Sequence, residues 1–572
     1  MKKTAKVLSL VFALAMTTSA FAGCSDGKDP SQGGGNKPID ADKTQIKVQN
    51  YEGGYGRDWL DNAIARFEEE HKNTEFEPGS GKKGIQIHVT SSINGTSGAS
   101  VATGAAGNDH HIFFTEDVFY YDATGYNAAA DITDIVTEKL TSYGETRSIA
   151  DKLDPNVEQF FNLGSETEPV YKALPHYLSY RTLYFDVDIF DLYGFWMLED
   201  GTFAGAKSGY NVSKLGTDGW KLSQGIDGNK GTEFDGLPAT YDEFFAMCDY
   251  MISRGVTPLH TYGSGKPLNM TIYSMWGQNE GRDSFLQVLN PVGTSDRLIE
   301  SIDANGVATL YPEGTTVDPY NIQAQLGKYQ AYQFAERLAQ GTEESPKYCH
   351  DLSFSSSENN IQAQYTYIMS SVLGDPIAMY ADGCWWENEA YESGSFDDAE
   401  ILSGKGRMDR RFALLPLPFA DESMIGNKWT ITSNCNLSLS FINSNIKDPN
   451  ILNAAKKFLQ FLHTDEEMQD FSVQTSTLKP FDYEVPESKM AQTTYFGKNL
   501  LSLANNPNVD FVYTYSPYLG YIQNFSYYYP DYLGWGTEDV VRYYFRNEGK
   551  TAADFFWMTK AQRNAAFKPP VV

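Results

Sequence analysis

The chain has 572 residues with 45 Lys and Arg against 74 Asp and Glu, a formal charge of −29 at pH 7. So acidic a surface repels a polyanion before contact, which argues against nucleic acid as a partner. With 41% apolar and only 21% charged residues, there is material for several packed cores and little reason for extended disorder. The 9 Trp, 37 Tyr and 34 Phe, most of them core, also suit a stacking surface.

In chain order, the first 23 residues read as an export address. Lys2, Lys3 and Lys6 precede the apolar run Val7 to Met16, which is shorter than the ~20 residues a membrane span needs. The run ends in Phe21-Ala22-Gly23-Cys24, which looks like a bacterial lipobox, with Cys24 lipidated as the new N-terminus. Residues 24 to 43 are a Gly/Pro/Ser/Asp tether with nothing to bury. No later run has the pattern of a transmembrane helix, so the body is expected outside the membrane, held by its lipid anchor.

Ile46 to Asn50 alternates as a strand, and Trp59 to His71 carries Leu60, Ile64 and Phe67 on helical spacing. Strands are expected again at Ile85 to Val89 and His111 to Phe114, with a helix over Ala128 to Ile135. This βαβα order argues for an α/β fold with a mainly parallel sheet, whose ligands bind at the carboxyl ends of strands. Tyr51, Glu52 and Tyr55 stand at one such end, Thr115 and Glu116 at another. Thr240 with Glu243 has the form of a capping box, and Asp448-Pro449 and Asp465 start two further helices. Gly194 to Gly236 is Gly-rich and polar and reads as an inserted loop or small ribbon. Tyr513 onward, YTYSPYLGYIQNFSYYYPDYLGWG, is dense in tyrosine and reads as an irregular packed segment or as a wall of a ligand cleft.

Several motifs are discounted. Gly79 to Gly84 fits GxGxxG literally but leads into a strand, so it is a turn. Gly23 to Gly27 fits GxSxG across the cleavage point and makes no nucleophile elbow. Cys248, Cys349, Cys384 and Cys435 have no CxxC spacing, and buried thiols are their expected state, although an exported chain permits disulfides. His110-His111 rarely aims two rings at one ion, and Asp227 to Gly231 lacks the closing Glu of a calcium loop. No metal and no cofactor is expected.

From Leu174 the chain reads LPHYLSYRTLYFDVDIFDLYG, from Leu237 LPATYDEFFAMCDYMISRGVTPL, and from Asp375 DPIAMYADGCWWENEA. FALLPLPF follows from Phe412 and ITSNCNLSLSFINSN from Ile431, continued by DPNILNAAKKFLQFLHTDEEMQDFSVQTSTLKP. In order and spacing these landmarks resemble the extracellular solute-binding proteins of carbohydrate ABC transporters, the maltodextrin-binding type, over residues 44 to 480. The resemblance implies a two-lobed periplasmic-binding-protein-like fold with three hinge crossings, near Leu174, Trp429 and Thr477. Lobe 1 would be 44–174 with 430–476. Lobe 2, enlarged over the family pattern, would be 175–429 with 477–572.

A sugar offers a face of C–H groups and a fringe of hydroxyls, so its pocket combines aromatic platforms with carboxylates, amides and Arg. Ala378, Met379, Gly383 and Trp385 match the family's A-M-x-x-x-G-x-W, which implies Trp385 as stacking platform. Trp386 beside it is a further candidate, although neighbours on an extended segment point to opposite sides. Glu52 and Glu116 align with family positions that accept sugar hydroxyls, and Tyr55 shares the turn of Glu52. His176, Tyr180 and Arg181 lie at the first crossing, Trp276 and Gln278 in an expected loop, Asn434 and Asn436 at the second crossing. The expected function is capture of a carbohydrate, an oligosaccharide by the size of lobe 2, and its delivery by a monomeric lipoprotein to ABC permease subunits. The rival readings are a surface glycosidase using paired carboxylates, such as Glu52 and Glu116, and a glycan adhesin.

Overall fold

The computed structural model describes residues 38–91, 99–116, 120–178, 180–263, 266–288, 291–341, 346–355, 357–433, 438–513 and 540–566. Cys24, Asn434, Cys435, Asn436 and the Tyr-rich stretch from 514 to 539 lie outside them. The framing strands are β1 (Thr44–Asn50), β2 (Ile85–Ser91), β3 (Ile112–Phe114), β4 (Ala173–Pro175), β5 (Arg181–Asp186) and β6 (Thr257–His260). They continue with β7 (Ile377–Gly383), β8 (Phe412–Leu415), β9 (Trp429–Ser433), β10 (Leu439–Ile442) and β11 (Val509–Tyr513).

One sheet has the order β2-β1-β3-β10-β4 and a second the order β8-β5-β7-β6. In the first, β1 lies parallel to β2 and β3, while β10 runs antiparallel to β3 and β4. In the second, β5 is antiparallel to β7 and β8, and only β6 joins β7 in parallel. A mainly parallel sheet thus describes β1 to β3 and not the rest. Strands that enter from a crossing need no crossover helix and pair in the opposite sense. β9 and β11 form a separate parallel pair.

The helices follow local chemistry. α1 (Asp58–Glu70) buries Trp59, Leu60, Ala63, Ile64 and Phe67 against the first sheet, at the spacing of one helical face. α2 (Tyr241–Ser253) begins with the Thr240–Glu243 capping box, both hydrogen bonds present. α3 (Lys266–Glu280), α4 (Asn360–Leu373) and α5 (Trp386–Glu392) surround the second sheet. Asp448 caps α6 (Pro449–Phe461) with Pro at its first position, and Thr464 caps α7 (Asp465–Thr475). The helix expected over Ala128 to Ile135 is shorter and displaced to Thr133–Thr137: Ala129 pairs with Asn443, and Asp131 Oδ1 accepts the N–H of Thr133.

Buried apolar residues form two clusters. One joins the first sheet, α1, α6 and α7 to Tyr380, Trp386 and Phe412; the other fills the space between β5 to β7, α2 and α3. Residues 194 to 236 are irregular, with short turns at Ala204–Ala206 and Val212–Lys214, and a C-terminal helix Ala552–Ala566 packs Phe555 and Phe556 on Tyr332 and Tyr329. Cys248, Cys349 and Cys384 are buried thiols. Among the described residues no helix is long and apolar enough to cross a membrane, and no His/Cys/Asp/Glu group could hold a metal ion.

Candidate functional site

The loop after β1 and the end of β3 meet the corner between β7 and α5. The Tyr51 N–H donates to Phe114 O at 2.9 Å, which ties the two strand ends together. Gly54 then turns with φ +73°, and a Cβ there would stand 2.9 Å from the Trp385 ring, so only glycine permits this approach. Asn388 Nδ2 of α5 donates to Gly54 O at 3.2 Å and holds the loop against the corner. The contact joins the first sheet's loops to the second sheet.

Trp385 is partly open to solvent. Its ring lies back along Gly383, where a Cβ would come within 2.3 Å, and Arg181 Cζ stands 4.8 Å from its centroid. Register explains the second contact, because Arg181 and Gly383 are partners across β5 and β7. Glu52 and Glu116 are likewise partly exposed. Burial raises the Glu52 carboxyl above its usual range against the opposing charge of Arg57. Ser438 Oγ donates to Glu116 Oε2 at 2.7 Å. Trp385 with Arg181 on one side, and the partly exposed carboxylates of Glu52 and Glu116 on the loops of the first sheet, are the groups of this region that could meet a polyol.

Tyr55 lies beneath this surface rather than on it. Its ring is 5% exposed, 4.0 Å from the Tyr177 ring and 6.2 Å from Trp385, and its hydroxyl meets Cys384 Sγ at 3.6 Å. Burial, with the charges of Cys384 and Glu116, pushes that hydroxyl well up. Tyr55 supports the platform.

Five further residues of the expected set are buried in the packing of the chain. Trp386 is fully buried among Tyr184, Tyr367, Tyr380, Phe412 and Phe496. Trp276 sits in α3, not a loop, where its Nε1 donates to Gln325 Oε1 at 2.8 Å; Gln278, also buried, accepts the Thr430 N–H. His176 is enclosed by Trp59, Phe114, Tyr177 and Phe471, and burial holds its imidazole well below the usual range. Tyr180 is 1% exposed, its ring 6.0 Å from Phe511. Sequence reasoning missed Gly54, Asn388 and Ser438, whose roles depend on which loops meet; the glycine pair Gly53-Gly54 was the one local signal.

No protein-family model and no curated relative matches the chain. Solved structures do. A chitin oligosaccharide binding protein superposes with TM-score 0.51 at 14% identity, covering 92% of this chain and 99% of that chain. Maltose-bound MalE3 of T. maritima gives 0.52 at 12%, covering 91% and 99%, and RafE in complex with raffinose gives 0.50 at 12%, covering 92% and 100%. Two sheets, helical cover and nearly full mutual coverage together establish the architecture: the chain has the two-lobed fold of these structures.

Proposed function

We propose that this protein captures a carbohydrate between its two lobes and hands it, without covalent chemistry, to an ABC permease. The observation that carries the reading is Trp385, partly exposed where the Gly54 loop of the first sheet meets the second sheet, with Arg181 on its ring. That the similar structures bind chitin oligosaccharide, maltose and raffinose supports the solute class. The ligand contacts are assigned to Glu52, Glu116, Arg181 and Trp385. The lobes are 44–174 with 430–476, and 175–429 with 477–572; closure about the crossings would enclose the sugar. The protein is exported, anchored through lipidated Cys24 on the outer face of the membrane, and acts as a monomer.

The test is a thermal-shift panel of mono- and oligosaccharides on the chain from Asp26 onward and on Trp385→Ala. A ligand at 100 times its dissociation constant should add ~2.7 kcal/mol to stability. A sugar that stabilises only the unaltered chain, and returns intact, is the expected outcome. No shift across the panel would reject a carbohydrate ligand, and a cleaved sugar would reject capture.

A further inference from the structure

The corner that carries Trp385 rests on two carboxylates, Asp382 buried and Glu389 half-buried. Asp382, next to last in β7, is fully buried. Its Oδ1 accepts the N–H of Gly383 at 2.7 Å, the residue along which the Trp385 ring lies. Its Oδ2 accepts the Tyr380 hydroxyl at 2.9 Å and Gln364 Nε2 at 3.2 Å. The same Nε2 donates to Glu389 Oε2 at 2.6 Å. Glu389 stands one turn into α5, and its own N–H bonds Trp385 O at 3.0 Å. One amide of α4 therefore bridges two acids that flank the platform residue on either side.

Two carboxylates held by one amide nitrogen, one of them fully buried, do not readily both carry charge. Burial, and then the charge of Glu389, raise Asp382 to about 7, and burial raises Glu389 as well. The other polar groups facing the pair are Tyr380 from β7, Tyr184 and Arg181 from β5, and Gln364 and Asn360 from α4; Tyr262 lies behind Tyr380. The one cation among these is Arg181, whose charge favours ionised Glu389 and whose guanidinium lies on Trp385.

The geometry points to Asp382, Gln364 and Glu389 as a proton-sharing support that positions Trp385 for ligand, an inference that rests on the capture reading. Asp382 touches no ligand; it acts through the Gly383 peptide. With one proton on the pair the corner is held. With none, the acids repel across Gln364, Arg181 is drawn toward them, and the platform loosens.

Two profiles between pH 6 and 9 test this. The first is Trp385 emission without ligand, taken as the difference between the unaltered chain and Trp385→Phe. The second is the dissociation constant of a sugar found in the panel. The expected result is that emission shifts and the dissociation constant rises several-fold on the alkaline side, and that Asp382→Asn and Glu389→Gln, each leaving one acid, flatten both. Flat profiles in the unaltered chain overturn the inference, as does a loss in the variants that is equal at every pH. Should a variant fail to fold, the unaltered chain's two profiles still decide. If no sugar binds yet emission moves, the support stands and the capture reading falls; if a sugar binds with flat profiles, the reverse holds.

Discussion

The Trp386 ring has five aromatic neighbours with centroids 5.0 to 5.8 Å away, whereas the Trp385 ring is partly solvated and meets Arg181. Trp386→Ala should therefore lower unfolding free energy by about 3 to 5 kcal/mol, the range for deleting a large buried ring. Trp385→Ala should cost less than about 1.5 kcal/mol and should abolish the sugar-induced shift, both read from urea midpoints and melting curves. The motif around Ala378 and Met379 located Trp385 in the sequence. It could not separate the two tryptophans, because the segment is the start of a helix: Trp385 is the cap of α5 and Trp386 its first residue, so their side chains diverge by the ~100° of a helical step rather than by strand alternation.

At the scale of elements, those with their own signals were legible. Thr240, Asp448 and Asp465 mark helix starts that the structure places where the sequence implies, with Thr464 added as the cap of the third. α3 was not legible. Its end, Gly-Gln-Asn-Glu, looks like a polar loop, yet Gln278, Asn279 and Glu280 are buried and answered from other elements. Asn279 Nδ2 donates to Tyr241 Oη at 2.8 Å and to Met275 O at 2.8 Å, while its Oδ1 accepts the Ala420 N–H at 2.8 Å. Gly277 lets the helix approach Thr432 of β9, where a Cβ would stand 3.1 Å from the methyl group. No window of sequence contains these partners. Asn279→Ala should cost about 1 to 3 kcal/mol, since it leaves the Ala420 N–H buried without an acceptor. Asn279→Asp, which keeps that acceptor but loses the two donated bonds, should not restore full stability; urea unfolding of both variants checks this.

Across the whole molecule, the order of landmarks from Leu174 to Pro480 made the two-lobed plan legible. The chemistry of the crossings was hidden. Lys479, near the third expected crossing, is buried with its Nζ donating to O of His176, near the first, at 2.8 Å and standing 4.3 Å from the Phe471 ring. Burial lowers its ammonium to about 7, and burial also keeps the imidazoles of His176 and His463 beside it below their usual range, the latter at about 3. In the unfolded chain the same lysine holds its proton to about 10.5. Between 7 and 10.5 the unfolded state therefore binds the extra proton, so this residue makes stability rise with pH through that window. Below 7 both states are charged, and the full penalty of an ammonium in an apolar crossing is present. Lys479→Met keeps the stem's volume and removes the charge. It should raise the melting temperature at pH 6, where the penalty is on the order of a few kcal/mol, offset by about 1 kcal/mol for the lost bond to His176 O. The gain should shrink steadily from pH 7.5 to 10. An equal gain at every pH would mean that apolar packing alone, and not the buried charge, distinguishes the two side chains at the crossing.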